Sequence, residues 1–246
     1  MNMIPGLVSV SFRTLSVKEV LQLCQKARLK AIEWGGDVHV PAGEVEMAKK
    51  VLAMSLDSGI TVVSYGSYYR LGQSIDEFKK NLETAMELEA PVLRVWAGNK
   101  GSKQCSSEER TAWVEQLAKV SEMGRQAGII VAPEFHIHTL TDTLWSVKQL
   151  LRELPEQKFY WQPRWDWPEE IQLDVLELIG PRLTYMHTFT WRIENGKEIR
   201  LPLAKGEKLW KQALRRGMTD YALLEFVRND DPSMLLEDAE TLRSWL

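Results

Sequence analysis

The chain has 246 residues, 44% of them apolar and 26% charged, with a formal net charge of −3. This balance excludes a disordered or collagen-like chain, and the length suits one α/β barrel. With no basic excess to neutralise phosphates, nucleic acid is not an expected partner.

The N-terminus has no basic segment followed by a long apolar one, so no signal peptide is expected. No apolar run reaches the ~20 residues of a membrane span. A cytoplasmic protein without a membrane partner is the expectation. Residues 7–12 read as a first strand, and Ser16 with Glu19 forms a capping box that opens a helix. Residues 31–35, Ala-Ile-Glu-Trp-Gly, form a second strand, and 44–58 a helix closed by Gly59. A third strand spans 60–65, then Ser74 and Glu77 cap a helix running to about Glu89. Strand four is 91–96, followed by a polar loop and a long helix over 108–127. Cys24 falls in a helix and Cys105 in that loop, so two free thiols are expected rather than a disulfide framework.

Gly128 breaks into the fifth strand, an apolar run ending in Pro133-Glu134-Phe135-His136-Ile137-His138. A helix over 141–154 leads to strand six, 159–162. Pro168 then opens a helix, where its missing N–H costs nothing. Strand seven is 183–187. A longer segment with a turn at Asn195-Gly196 precedes a helix over 207–216. Strand eight, 221–227, and a helix over 232–246 close the chain. Strand and helix alternate eight times at roughly 30 residues per unit, and the strands are apolar throughout. That pattern predicts parallel strands covered by helices in one (β/α)8 TIM barrel spanning 1–246.

In such a barrel the chemistry sits at the C-terminal strand ends. The polar residues there are Glu33, His39, Glu134, His136, Gln162, His187 and Glu225. Glu225 stands in Ala-Leu-Leu-Glu-Phe-Val, and a carboxylate among such neighbours needs a partner. One divalent cation would satisfy Glu134, His187 and Glu225 together, with the carbonyl oxygen of Gln162 as a fourth ligand. Mixed oxygen and nitrogen ligands suit Mn²⁺, Mg²⁺, Co²⁺ or Zn²⁺ without selecting one. The other reading is a salt-bridged interior. Tyr65, Tyr68, Trp96, Trp165 and Trp191 are candidate walls for a sugar ring, or packing residues. Arg94, Arg164 and Arg192 are candidates for bidentate contact with a phosphate or carboxylate, or for pairing with loop carboxylates.

Five segments together carry a resemblance: 31–35 (Ala-Ile-Glu-Trp-Gly), 131–136 (Val-Ala-Pro-Glu-Phe-His), 185–187 (Tyr-Met-His), 201–206 before a tryptophan-bearing helix, and 223–226 (Leu-Leu-Glu-Phe). Their order and spacing resemble the sugar phosphate isomerase/epimerase superfamily, with its xylose isomerase-like TIM barrel, over nearly the whole chain. The resemblance implies one divalent metal held by Glu, Asp, His and Glu of successive strands. These fall on Glu134, Gln162, His187 and Glu225, so a neutral amide stands where the family has an aspartate. Trp165 stands where family epimerases place a substrate-binding histidine.

The implied chemistry is proton transfer beside a metal-polarised carbonyl, with Glu134 and Glu225 as metal-bound bases. Substrate contacts are expected from Glu33, His39, Tyr65, Trp96, His136, Trp165 and Arg192. The leading expectation is a metal-dependent isomerase or epimerase of a small sugar-like substrate, self-associating as its relatives commonly do. A dehydratase or lyase acting on a keto-polyol is the alternative. So is a sugar-binding barrel with a degenerate metal site, which Gln162 and Trp165 favour.

Overall fold

Residues 3–164 and 166–246 are described by the computed structural model. Eight parallel strands form the sheet: β1 (Ile4–Val8), β2 (Ala31–Gly35), β3 (Thr61–Arg70), β4 (Val92–Trp96), β5 (Ile130–Pro133), β6 (Phe159–Trp161), β7 (Leu183–Thr188) and, after a hairpin, β10 (Tyr221–Leu224). Their order is β5-β4-β3-β2-β1-β10-β7-β6, so chain neighbours are sheet neighbours and β10 closes onto β1. The remaining seam, between β5 and β6, is held differently. Among the described residues its backbone pairing is one bridge, Glu134 to Tyr160, with the Phe135 N–H donating to the Tyr160 carbonyl at 2.9 Å. Side-chain amides supplement it. Gln157 Nε2 donates to the Val131 carbonyl below the bridge, and Gln162 Nε2 to the Phe135 carbonyl above it. The result is a nearly closed (β/α)8 barrel.

Helices α1 (Val17–Lys26), α2 (Val45–Asp57), α3 (Ile75–Glu87), α4 (Ser107–Gln126), α5 (Leu144–Glu153), α6 (Glu169–Ile179), α7 (Glu207–Arg216) and α8 (Pro232–Trp245) cover the strands. Both halves of the Ser16–Glu19 capping box are formed, and Ser74 accepts from the Glu77 amide as its spacing predicts. None of these helices is long and apolar enough to cross a membrane, within the described residues. Two apolar layers result. The larger lies between sheet and helices, with Trp34, Trp161, Trp210 and Phe78 fully buried. A smaller one, including Val8, Ala31, Val63, Ala132, Tyr160 and Leu223, fills the barrel interior beneath the site.

Three expectations shift. The first strand lies earlier, at Ile4–Val8, and Ser9–Phe12 is a turn of 3-10 helix. Pro5 and Gly6 conceal this strand, yet Gly6 pairs with both Ala31 and Leu223, where any Cβ would strike Ala31 and the Leu223 side chain. The fifth strand ends at Pro133, so the stretch from Glu134 to His138 lies beyond it rather than within it, and His138 takes a left-handed φ of 57°. The long segment after β7 is an antiparallel hairpin, β8 (Thr190–Glu194) and β9 (Lys197–Leu201). Its turn has positive φ at Asn195 and Gly196, the combination a two-residue hairpin turn requires.

Candidate metal centre

Glu134 follows β5, His187 stands in β7 and Glu225 follows β10, and all three are buried. One ligand atom from each lies within 4.8 Å of the others. His187 Nδ1 is 2.9 Å from Glu134 Oε1 and 3.2 Å from Glu225 Oε2. Yet His187 Nδ1 and Glu225 Oε2 have no hydrogen-bond partner among the described residues, because the angles are unsuitable. Two carboxylates and an imidazole converging on one point suit a common cation, and without one the ring pairs with the glutamates. Gln162 Oε1 is also buried and has no partner among the described residues, while its Nε2 is spent on Phe135. The amide is therefore anchored by its nitrogen and keeps an oxygen free, as a neutral ligand requires. The donors of Glu134, His187 and Glu225 fit one divalent cation.

Around them runs a charge network. The Arg94 guanidinium is 2% exposed and donates from Nε to Glu33 Oε1 (3.1 Å) and from Nη1 to Glu134 Oε2 (2.7 Å). Trp96 Nε1 donates to the same Glu134 oxygen. Burial alone would raise the Glu134 pKa, but Arg94 and His187 outweigh it and hold the carboxyl well below the usual carboxylate range. Glu33 behaves alike: burial pushes up, and Arg94 and His187 bring it down to about 2. For His187 burial disfavours the imidazolium, but Glu225 and Glu33 prevail and raise its pKa well above the ordinary value. Without a cation the ring therefore holds a proton, which a metal would displace. Gly66 makes the network sterically possible, since a Cβ there would strike Glu33 Oε1 and Arg94 Nη2.

The expected substrate residues divide. Trp96 and His136 lie at the mouth, ring centroids 4.7 Å apart. His136 Nδ1 is 2.8 Å from the Ile137 carbonyl, which assigns that nitrogen its proton and leaves Nε2 free. Glu33 faces inward as the fully buried partner of Arg94. His39 is a loop anchor: Nε2 donates to the Leu15 carbonyl, and Nδ1 meets Ser9 Oγ. Tyr65 is buried and donates to the Val40 carbonyl. Neither His39 nor Tyr65 is brought to the cluster. Arg192 is exposed on the hairpin and pairs with Glu194, so it does not meet the site either. Trp165 lies outside the described residues.

Arg94 acts here as a structural clamp on Glu134. The signal was a charged residue in the apolar strand Val-Leu-Arg-Val-Trp, where burial demands a partner. Arg70, whose guanidinium lies 3.6 Å from the Trp96 ring centroid, was not anticipated; nothing in its flanking sequence marks that stacking.

A buried cluster suited to a cation, at the C-terminal mouth of a (β/α)8 barrel, defines a metal-dependent enzyme class. The chain belongs to the xylose isomerase-like TIM barrel family, whose model matches residues 21–245. A 3-dehydroshikimate dehydratase from Bacillus anthracis is 29% identical over 160 residues, covering 61% of this chain and 57% of that protein. The match thus spans little more than half the length of that relative. The structure of the probable 3-DHS dehydratase AsbF from Bacillus anthracis aligns at a TM-score of 0.80, with 22% identity and 98% of each chain covered. An IOLI protein with a bound zinc atom aligns at a TM-score of 0.73, with 15% identity over 98% of this chain and 95% of that one.

Proposed function

We propose that this chain is a divalent-metal-dependent dehydratase acting on a hydroxylated ketone, with 3-dehydroshikimate the first substrate to test. The observation that carries this reading is the convergence of Glu134, His187 and Glu225 on one point, with His187 Nδ1 and Glu225 Oε2 left without hydrogen bonds. The likeness to a 3-dehydroshikimate dehydratase favours elimination over the isomerisation or epimerisation that the resemblance first implied.

Glu134, His187, Glu225 and Gln162 Oε1 would hold the cation. When bound, it supplies polarisation of the ketone oxygen, which acidifies the neighbouring C–H. The chain's own groups then divide the proton work. Glu134 accepts from Arg94 and Trp96 and is held as an anion, which makes it a firm ligand and a poor base. Glu225 has no such donor, and whichever of its oxygens does not face the cation is assigned as the acceptor of the α-proton. The β-hydroxyl leaves as water with a proton from Nε2 of His136, which acts in its imidazolium form while the Nδ1–H stays on the Ile137 carbonyl. The proton held by Glu225 then returns to His136 through solvent, so one water is lost overall and both groups are restored.

Loss of one water from 3-dehydroshikimate leaves an aromatic dihydroxybenzoate, followed by ultraviolet absorbance. Turnover is expected with at least one of Mn²⁺, Mg²⁺, Co²⁺ and Zn²⁺ and none after chelation. Glu225→Gln is expected to lower kcat by about 10²- to 10⁴-fold. No product with any of the four cations would overturn the reading. Conversion of a ketose under those conditions would restore the isomerase alternative.

A further inference from the structure

Strand β3 has ten residues against five in β2 and β4, and its extra length carries Arg70 to the rim of the mouth. The ladder decides which way that residue faces. Gly66 pairs with Arg94 and Arg70 with Trp96, and paired residues point to the same side of a sheet. Arg94 and Trp96 both reach Glu134, so Arg70 shares the inward side with them. Tyr69, one position earlier, faces outward against Phe78 of α3. The contacts agree: the Arg70 guanidinium lies over the Trp96 ring, 3.6 Å from its centroid. That same indole donates to Glu134 and neighbours the His136 ring at 4.7 Å, so Arg70 stands one indole away from the metal cluster. Its backbone is fixed as well. The Arg70 N–H donates to Gln73 Oε1 at 2.6 Å, and the Leu71 N–H to the Trp96 carbonyl at 3.0 Å.

What this guanidinium lacks is an anion. Arg94 holds Glu33 and Glu134, and Arg13 holds Asp37. Arg70 is half-buried and has no side-chain hydrogen bond or ion pair among the described residues. Stacking uses the face of the group and leaves its in-plane N–H donors for a ligand. The charge balance points the same way. With a divalent cation bound and His187 neutral as its ligand, Glu33, Glu134 and Glu225 are offset by Arg94 and the ion. Arg70 is then a single positive charge in excess, which one carboxylate neutralises and a phosphate dianion would overfill. On the dehydration reading above, we propose that Arg70 binds the acid group of the substrate, with Trp96 as its platform, and thereby selects hydroxylated keto acids over neutral sugars.

Shikimate and its methyl ester test this. Neither carries the ketone, so neither turns over, and they differ by one negative charge. Calorimetric titration of the full chain with Mn²⁺ present is expected to show the acid bound about tenfold or more tighter than the ester, a preference that Arg70→Met abolishes. In the same variant KM for 3-dehydroshikimate should rise about tenfold or more. Equal binding of acid and ester by wild type, the preference retained in Arg70→Met, or no saturation by shikimate at about 50 mM overturns the assignment. Arg70→Gln takes the place of the methionine variant if that one fails to fold. Failure of the dehydration reading shows separately, as no product from wild type with any cation, because the preference for acid over ester is read without turnover.

Discussion

Replacing Arg94 by methionine strands two buried carboxylates. The guanidinium is 2% exposed and spans Glu33 and Glu134, which are 0% and 3% exposed. Glu33 is held at about 2 against an ordinary 4.5. At 1.36 kcal/mol for each pH unit, that difference is about 3 kcal/mol. Breaking a buried pair by removing one partner independently gives ~3–5 kcal/mol. The two values agree, so Arg94→Met is expected to lose about 3–5 kcal/mol at pH 7.

The sign of the pH dependence follows from the direction of the shift. A depressed carboxyl contributes stability that is present above pH 4.5 and is lost as pH falls toward 2. In the variant, burial acts on Glu33 without its largest opposing charge, so its pKa rises and the stability gained between about 2 and 4.5 is reduced or lost. The deficit relative to wild type therefore grows as pH rises from about 2. Urea unfolding of chelator-treated protein, followed by tryptophan fluorescence, measures it. A deficit under about 1 kcal/mol at pH 7, or one that does not shrink as pH falls toward 2, would refute the clamp. Arg94→Lys should not rescue, because one ammonium lacks the planar fork that serves both carboxylates.

Gln162→Asp returns a third negative charge to the ligand set and should tighten Mn²⁺ about tenfold or more by calorimetry. Unchanged affinity would remove Gln162 from that set. Asp238 accepts the Leu203 amide at 2.7 Å, and burial lifts its pKa from 3.8 to about 6. Its ionised form thus costs stability above pH 6 and nothing below pH 4. Asp238→Asn is expected to stabilise by up to about 3 kcal/mol at pH 8, with the gain vanishing by pH 4; a pH-independent change in urea midpoint would contradict this.

The barrel was legible because its signals are local. Ser16 with Glu19, Ser74 before Glu77, and apolar runs such as Val92–Trp96 each follow from nearest-neighbour chemistry. β1 was misplaced because Gly6 belongs to the strand for a reason found only in its neighbours Ala31 and Leu223. The β8–β9 hairpin escaped because it buries no alternating face, although its turn was marked by Asn195-Gly196. Within the site, Glu134, His187 and Glu225 stood out as charged or titratable groups at apolar strand ends. Which arginine grips which carboxylate is set by barrel closure across 40 and 61 residues of chain, and local pattern does not carry that information. His39 and Tyr65 were misleading for a related reason: a polar group near a strand end is spent on a loop carbonyl as readily as on a ligand.

The seam between β5 and β6 has a mechanical consequence. Where other strand pairs share a ladder, this one is a belt buckled at Glu134, with glutamine stitches at Val131 and Phe135. Glu134 and Gln162 are also the two donors that a cation would draw together across that line. A cation held by both would therefore fasten the barrel, and its removal would slacken the wall at its least-sewn point. In this architecture an amino acid cannot be purely a ligand on one side of that seam: whatever changes its grip on the ion also changes how tightly the cylinder is shut.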